Sequence, residues 1–221
     1  MPFSIAGRRP RRGSSTAATT ESDTTLSGPP ACPSAHPLSA ARVSPATAAV
    51  PRSLGRRDVD FAFDRIFVPS LVVDHTELVL RQAGAQGREG FAVWAGTLAG
   101  GDAHVATVLV PRADTDAWHG VVTPETTAAV LTALDERDLV PLLQLHSHPR
   151  RAFLSETDAI RPLVAVPGFI SVVIPDFGFV DLADVGRWSA HQYVRPGQWH
   201  ELAAGERTRR FIIDDSLIRV D

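Results

Sequence analysis

Val140-Pro-Leu-Leu-Gln-Leu145 runs directly into His146-Ser147-His148, and this stretch decides how the chain folds around a site. The run before the histidines is short, apolar and bounded by Pro141, which is typical of a buried β-strand. Along a strand, residues i and i+2 point to the same side of the sheet. The two histidines are therefore expected to aim their imidazole rings at one point in space.

Two imidazoles on one side of a strand end make a candidate metal site. Neutral imidazole is the commonest protein ligand for a transition metal. A third ligand must come from elsewhere, and Asp158 is the nearest acid with a reason to be held rigidly. Three protein ligands plus a water molecule are typical of a catalytic zinc site rather than a structural one. The sequence therefore predicts Zn²⁺ bound by His146, His148 and Asp158.

Ser155-Glu-Thr-Asp158 has a second interpretation, as the start of a helix. Ser-x-x-Asp immediately before Ala159-Ile160 is close to a capping box, in which the two side chains bond each other's backbone N–H groups. The two interpretations are compatible, because an N-cap residue and a residue in the first helical turn are both held rigidly. Rigid positions suit catalytic groups.

The stretch as a whole resembles the signature of the JAMM/MPN zinc metalloproteases, which is an upstream Glu, His-x-His, a spacer and Ser-x-x-Asp. The resemblance covers roughly residues 59 to 205 and implies that His146, His148 and Asp158 bind zinc. It implies Ser155 as the residue that steadies the tetrahedral intermediate. The upstream Glu is Glu89, in Glu89-Gly-Phe-Ala-Val-Trp-Ala-Gly96.

A second stretch, Phe169-Ile-Ser-Val-Val-Ile-Pro-Asp-Phe-Gly178, is similar to the strand that follows the metal-site helix in prokaryotic members of the family. Two features depart from the family pattern. The spacer from Pro149 to Leu154 has six residues where seven are common, and Ala92 stands where a Gly is frequent. The Ser-to-Asp spacing is intact.

The resemblance implies a zinc-dependent peptidase or isopeptidase that cleaves after the C-terminal Gly-Gly of a ubiquitin-like or sulfur-carrier protein. Glu89 would serve as the proton shuttle and Ser155 as the oxyanion donor. Two alternatives stay open: a catalytically silent MPN-type scaffold that binds partners, and a metal hydrolase that acts on a small molecule. The sequence indicates no oligomeric state.

Composition bounds the class of protein. The chain has 221 residues, a net charge of −3 and one cysteine, Cys32, so we expect neither a nucleic-acid-binding protein nor a disulfide framework. Apolar stretches stay shorter than the ~18 residues of a membrane span, and a cytoplasmic location is the default expectation. Residues 1–57 are rich in Arg, Ser, Thr and Pro and are predicted to be a disordered tail before a domain at 58–221.

Hydrophobic periodicity predicts strands interleaved with helices, which is an α/β fold. Together with the strand before the histidines and a helix after Ser155, the expected strands are 60–67, 91–98, 104–110, 170–174, 179–182 and 188–194. The expected helices are 70–83, capped by Ser70, and 124–137, with Pro124 at its first position. Trp94, Trp188 and Ser147 are expected to pack in the core. The family resemblance implies a mixed, curved sheet flanked by helices, a cytidine-deaminase-like sandwich.

Overall fold

The computed structural model describes residues 61–111 and 123–217, and it shows one mixed sheet of eight strands with helices. The α/β class predicted from the sequence is therefore confirmed. The strands are β1 Arg65–Pro69, β2 Phe91–Ala99, β3 Asp102–Leu109, β4 Val140–Ser147, β5 Ile170–Ile174, β6 Ser189–Arg195, β7 Gln198–Glu201 and β8 Phe211–Asp214. The α-helices are α1 Ser70–Gly84, α2 Pro124–Asp135, α3 Glu156–Ile160 and α4 Ala204–Arg210.

The strand order is β7-β6-β5-β4-β2-β3-β1-β8, so β4 lies in the interior of the sheet. It pairs antiparallel with β2 and parallel with β5, and each of its eight residues is buried. Burial on both faces explains why its sequence is a nearly continuous apolar run. The sheet register shifts where β2 passes Trp94 to Gly96, which bends the strand.

Helices α1 and α3 lie on opposite faces of this sheet. Trp94 is paired with Leu143 in the sheet, is fully buried, and donates its indole N–H to Thr76 of α1 at 2.8 Å. His146, three residues after Leu143, points to the other face and meets α3. Ser147 faces α1's side, as expected: it is buried, and its Oγ accepts the Gly90 N–H at 2.9 Å. Trp188 is also in the core, as predicted.

Two details of the sequence prediction are wrong. Residues 179–182 form no strand. The Val180 carbonyl oxygen accepts from Arg81 at 3.1 Å and the Leu182 N–H donates to Glu77 at 3.3 Å, so these backbone groups are bonded to side chains of α1 rather than to a neighbouring strand. Ser70 is the first residue of α1 rather than its cap; Pro69 takes the N-cap position with no side-chain hydrogen bond. In α2, Thr123 is the cap, and its side chain accepts the Thr126 N–H.

The first strand begins five residues later than the sequence pattern indicates, at Arg65, and β7, α4 and β8 were not predicted. The tail prediction for residues 1–57 lies outside the described residues. Across the described part of the chain, 61–111 and 123–217, no helix combines the length and the apolarity that crossing a membrane requires.

Candidate metal centre

His146 and His148 stand at the end of β4 with their Nε2 atoms 3.2 Å apart. Both residues are 6% exposed. Parallel pairing with β5 runs through His146, which lies opposite Val173. The His148 N–H continues the ladder beyond the strand end by donating to Ile174 O at 2.9 Å. The backbone of both histidines is therefore fixed by the sheet, and their rings converge as the i, i+2 spacing predicts.

Asp158 of α3 completes a compact group with the two histidines. Its Oδ2 lies 3.2 Å from Nε2 of His146 and 3.4 Å from Nε2 of His148. One ligand atom from each of the three residues lies within 4.8 Å of the other two. The three residues proposed from the sequence as metal ligands are thus brought together, although His146 and Asp158 are 12 positions apart in the chain.

Ser155 and Asp158 form the capping box that the sequence predicts at the start of α3. The Asp158 N–H donates to Ser155 Oγ at 3.2 Å, and the Ser155 N–H donates to Asp158 Oδ2 at 2.9 Å. The Ser155 hydroxyl also donates to that same Oδ2, at 2.6 Å. One carboxylate oxygen therefore takes part in the capping box and also faces both imidazoles. The hydroxyl of Ser155 lies beside that oxygen.

The carboxyl group of Asp158 is held in its charged form. Burial alone would raise the pKa of Asp158, but hydrogen bonds with His146, His148 and Ser155 and the charge interaction with His146 outweigh it and lower the pKa well below its usual value. A carboxylate that stays ionised is the form that binds a cation. The two imidazoles beside it offer ring nitrogen atoms, so the group supplies two N donors and one O donor.

Glu89 lies beside the same strand end. It immediately precedes Gly90, whose carbonyl accepts the Ser147 N–H at 3.0 Å, and Phe91 of β2 pairs with His146. The backbone of Glu89 is therefore carried to the level of the histidines by the antiparallel β2–β4 pair. Its side chain is partly exposed. Glu89 is outside the three-residue ligand group.

A strained turn after β5 supports the histidine end of the site. Asp176 and Phe177 are non-glycine residues with φ of 53°, and Gly178 follows with φ of 80°. The Phe177 N–H donates to His148 O at 2.7 Å, and the Asp176 N–H donates to Arg150 O at 3.0 Å. Left-handed backbone at non-glycine residues is costly and concentrates at functional sites. The turn therefore holds the backbone from His148 to Arg150 in place.

Phe153 was missed by the sequence reasoning. Its ring meets the His148 ring edge-to-face with centroids 4.8 Å apart, and the residue is 53% exposed. It lies in the six-residue spacer, where an aromatic residue between two arginines and Ser155 was the available signal. The phenyl ring therefore packs against the imidazole of one candidate ligand.

A row of buried polar residues continues across the face of the sheet that carries His146. Gln144 of β4, Ser171 of β5 and His191 of β6 lie opposite one another in register. Gln144 Nε2 donates to Ser171 Oγ at 3.1 Å, and Ser189 Oγ lies 2.7 Å from His191 Nε2. Burial lowers the pKa of His191, which keeps its ring neutral at pH 7. His191 therefore lies on the same face of the sheet as His146.

Other histidines make contacts elsewhere in the structure. His104 stacks on Phe67 with ring centroids 5.1 Å apart, and His200 lies 3.8 Å from Glu206. His119 lies outside the described residues.

Comparison with known proteins finds a curated relative and several solved structures of similar fold. No protein-family model matches the chain. A curated protein of Sinorhizobium fredii (strain NBRC 101917 / NGR234), named probable metalloprotease y4jG, is 28% identical over 152 residues, which make up 67% of this chain and 93% of that protein. Its name indicates a metal-dependent hydrolase for that relative.

The fold is similar to the solution structure of a protein from Desulfitobacterium hafniense, with a TM-score of 0.50 and 18% identity over 68% of this chain and 93% of that one. A solution structure of a protein from Salinibacter ruber matches with a TM-score of 0.41 and 20% identity, over 70% of this chain and 95% of that one. At 18% identity, the first likeness concerns the fold alone.

Proposed function

We propose that this protein is a zinc-dependent metallopeptidase of the JAMM type. In this proposal it hydrolyses the peptide or isopeptide bond after the C-terminal Gly-Gly of a ubiquitin-like or sulfur-carrier protein. The observation that carries the metal assignment is the convergence of Nε2 of His146, Nε2 of His148 and Oδ2 of Asp158 at separations of 3.2, 3.2 and 3.4 Å. The name of the Sinorhizobium relative supports a metallopeptidase, and the motif resemblance supports the substrate class.

These separations fit zinc. Ligand atoms about 2.0–2.1 Å from a tetrahedral zinc ion lie about 3.3 Å from one another, which matches the three observed distances. Two imidazole nitrogens and one carboxylate oxygen are a donor set that zinc accepts. A set of three protein ligands leaves a fourth position for water, which is the pattern of catalytic rather than structural sites.

The motif resemblance assigns the residues their roles in this proposal. Zinc, when bound, lowers the pKa of a coordinated water to about 7 and so supplies a nucleophile at neutral pH. Glu89, carried to the histidines by β2, accepts a proton during attack and delivers it to the leaving amine. Ser155, whose single O–H donates to Asp158 Oδ2 at 2.6 Å, would turn that O–H from Oδ2 to the developing oxyanion. The sheet and the capping box hold these groups before substrate arrives.

A single preparation tests this proposal. Purified protein is analysed for zinc and then incubated with a ubiquitin-like or sulfur-carrier protein carrying a Gly-Gly-linked extension. About one zinc per chain together with cleavage after Gly-Gly is the expected result. Stoichiometric zinc without cleavage of Gly-Gly fusions from either class would overturn the substrate class and favour a metal hydrolase of small molecules. A folded protein that binds no zinc would favour a scaffold.

A further inference from the structure

Helix α3 carries Ser155 at its N-cap and Asp158 in its first turn, yet little of its own structure holds it in place. It spans five residues and buries none of its side chains. Isolated helices shorter than about 12–15 residues are marginal in water, and most helices in proteins are stabilised by a packed apolar face. The position of Asp158 relative to the histidines must therefore depend on contacts to the backbone of α3 and of the segment that follows it.

Two side chains from the sheet make such contacts. Trp199 of β7 donates its indole N–H to Ala159 O, the carbonyl next in sequence to Asp158, at 3.0 Å. Gln144 of β4 accepts the Leu163 N–H at 2.7 Å, just after the helix ends. The bond from Trp199, on the edge strand β7, holds the last turn of α3. The bond from Gln144, on the interior strand β4, holds the segment just after the helix.

Each of these side chains is itself fixed. Gln144 is 2% exposed, and its amide nitrogen donates to Ser171 Oγ, so both ends of the amide are bonded. A buried amide is costly in an apolar strand unless its hydrogen bonds are made. The Trp199 ring packs edge-to-face against Tyr193 with centroids 5.0 Å apart. Neither side chain needs to reorganise to hold α3.

Gln144 also links the helix directly to the ligand-bearing strand. It lies two residues before His146 on β4 and so points to the same side of the sheet. Through the Gln144–Leu163 bond, the chain leaving α3 is tied to the strand that carries His146. We propose that Trp199 and Gln144 are positioning residues of the metal site, which hold α3 so that Asp158 Oδ2 stays in bonding range of the ion. This role rests on the proposed function.

The experiment compares two tryptophan variants of the full-length protein. Trp199→Phe keeps an aromatic ring against Tyr193 and removes the N–H that bonds Ala159 O. Trp94→Phe is the matched control, because it removes the indole N–H that bonds Thr76 on the opposite face of the sheet. Zinc affinity is measured by chelator competition, and amide hydrogen exchange is measured across residues 156–163 in the metal-free proteins.

We expect Trp199→Phe to weaken zinc binding 10–100-fold, the usual effect of losing a group that orients a ligand, and to speed amide exchange across residues 156–163. Gln144→Met, which keeps the side-chain length but loses the acceptor, should weaken zinc binding similarly. Trp94→Phe should lower the melting temperature while zinc affinity stays within about threefold of wild type.

The outcomes separate the two proposals. Wild-type zinc affinity in both Trp199→Phe and Gln144→Met would overturn the positioning role and leave the metal site standing. Equal loss of zinc affinity in Trp94→Phe would show that any loss of stability has this effect, which also overturns the positioning role. Failure of the wild-type protein itself to bind zinc would overturn the metal site, and the role built on it, at once.

Discussion

The Oδ2 atom of Asp158 accepts hydrogen bonds from both the backbone N–H and the hydroxyl of Ser155, at 2.9 and 2.6 Å, while it faces the two histidine rings. The helix cap and the candidate metal ligand are therefore one oxygen atom. A change at Ser155 acts on the stability of α3, on the direction of the carboxylate and on the proposed oxyanion donor. Experiments on this site have to separate those effects.

Removing the histidine rings should remove the metal. Purified wild-type protein should contain about one zinc per chain, and the double variant His146→Ala/His148→Ala should contain almost none, because two of three ligand atoms are lost. Asp158→Asn should also lose zinc, since the amide is a weaker donor. Metal content by mass spectrometry checks this, with His104→Ala as the control because that histidine stacks on Phe67 on a different part of the sheet. Stoichiometric zinc in the double variant would contradict the assignment.

Glu89→Gln should keep zinc and lose most activity. The substitution preserves the size of the side chain but removes the group that accepts and delivers the proton, a contribution of roughly 10²–10⁴ in rate. The measurement is turnover of a Gly-Gly-linked substrate by protein whose zinc content equals that of the wild type. Turnover at the wild-type rate would remove Glu89 from the mechanism.

Ser155→Ala should cost both stability and turnover. Loss of an N-cap side chain is expected to lower the free energy of unfolding by ~0.5–2 kcal/mol. Loss of an oxyanion donor is expected to lower turnover by ~10²–10³. Urea unfolding and turnover of the zinc-loaded variant are measured on the same preparation.

Ser155→Asp is the matched variant for that comparison. Aspartate still accepts at the N-cap, but its negative charge repels a developing oxyanion, so this variant should stay folded and be inactive. If zinc-loaded Ser155→Ala retains activity within about threefold of the wild type, Ser155 is a helix cap without a role in the reaction.

His191 should make stability depend on pH in a definite direction. Burial lowers the pKa of His191, and Arg207 and His146 act the same way, while Glu201 and Asp158 act in the opposite direction. A histidine whose pKa is lowered by folding stabilises the protein fully above its unfolded pKa of about 6.5, and this contribution is lost as pH falls through the folded pKa. The free energy of unfolding should therefore fall as the pH is lowered from 7.5 to 5.5.

His191→Gln should reduce the slope of the free energy of unfolding against pH. The reduction should be at most about 1.4 kcal/mol per pH unit, which is the linkage of one proton. Urea unfolding of metal-free wild type and variant at several pH values measures the difference. His200→Gln is a suitable control, because His200 is exposed at the edge of the sheet. An identical slope for wild type and His191→Gln would show that His191 does not titrate differently on folding.

Local patterns predicted the centre of the molecule well. The apolar run of β4, the i, i+2 histidines and the Ser155–Asp158 capping box all follow from residues close together in the chain, and the structure contains each of them. Short-range geometry decides such features, so one sequence is enough to see them.

Long-range contacts explain what the sequence did not show. Strand β8 pairs in parallel with β1, although about 145 residues separate them, and no local pattern specifies that partner. The sequence of residues 179–182 predicts a strand, yet the Val180 carbonyl oxygen accepts a hydrogen bond from Arg81 of α1, which is 99 residues earlier in the chain. The hydrogen bond from Trp199 to the Ala159 carbonyl joins residues 40 apart in the chain. No local pattern in the sequence therefore identifies Trp199 as a support for α3.

The turn at Asp176–Gly178 carries a consequence for how this protein can evolve. A Cβ atom at Gly178 would collide with the Cβ of Leu80, and one at Gly84 would collide with the Cβ of Phe177, so the turn and α1 touch through two positions that admit only glycine. The same turn bonds the carbonyl of His148. The constraint on substitutions around the candidate metal centre should therefore extend through this contact into α1. A change such as Gly84→Ala, made at the end of a helix on the opposite face of the sheet, should be selected against as strongly as a change beside the candidate ligands.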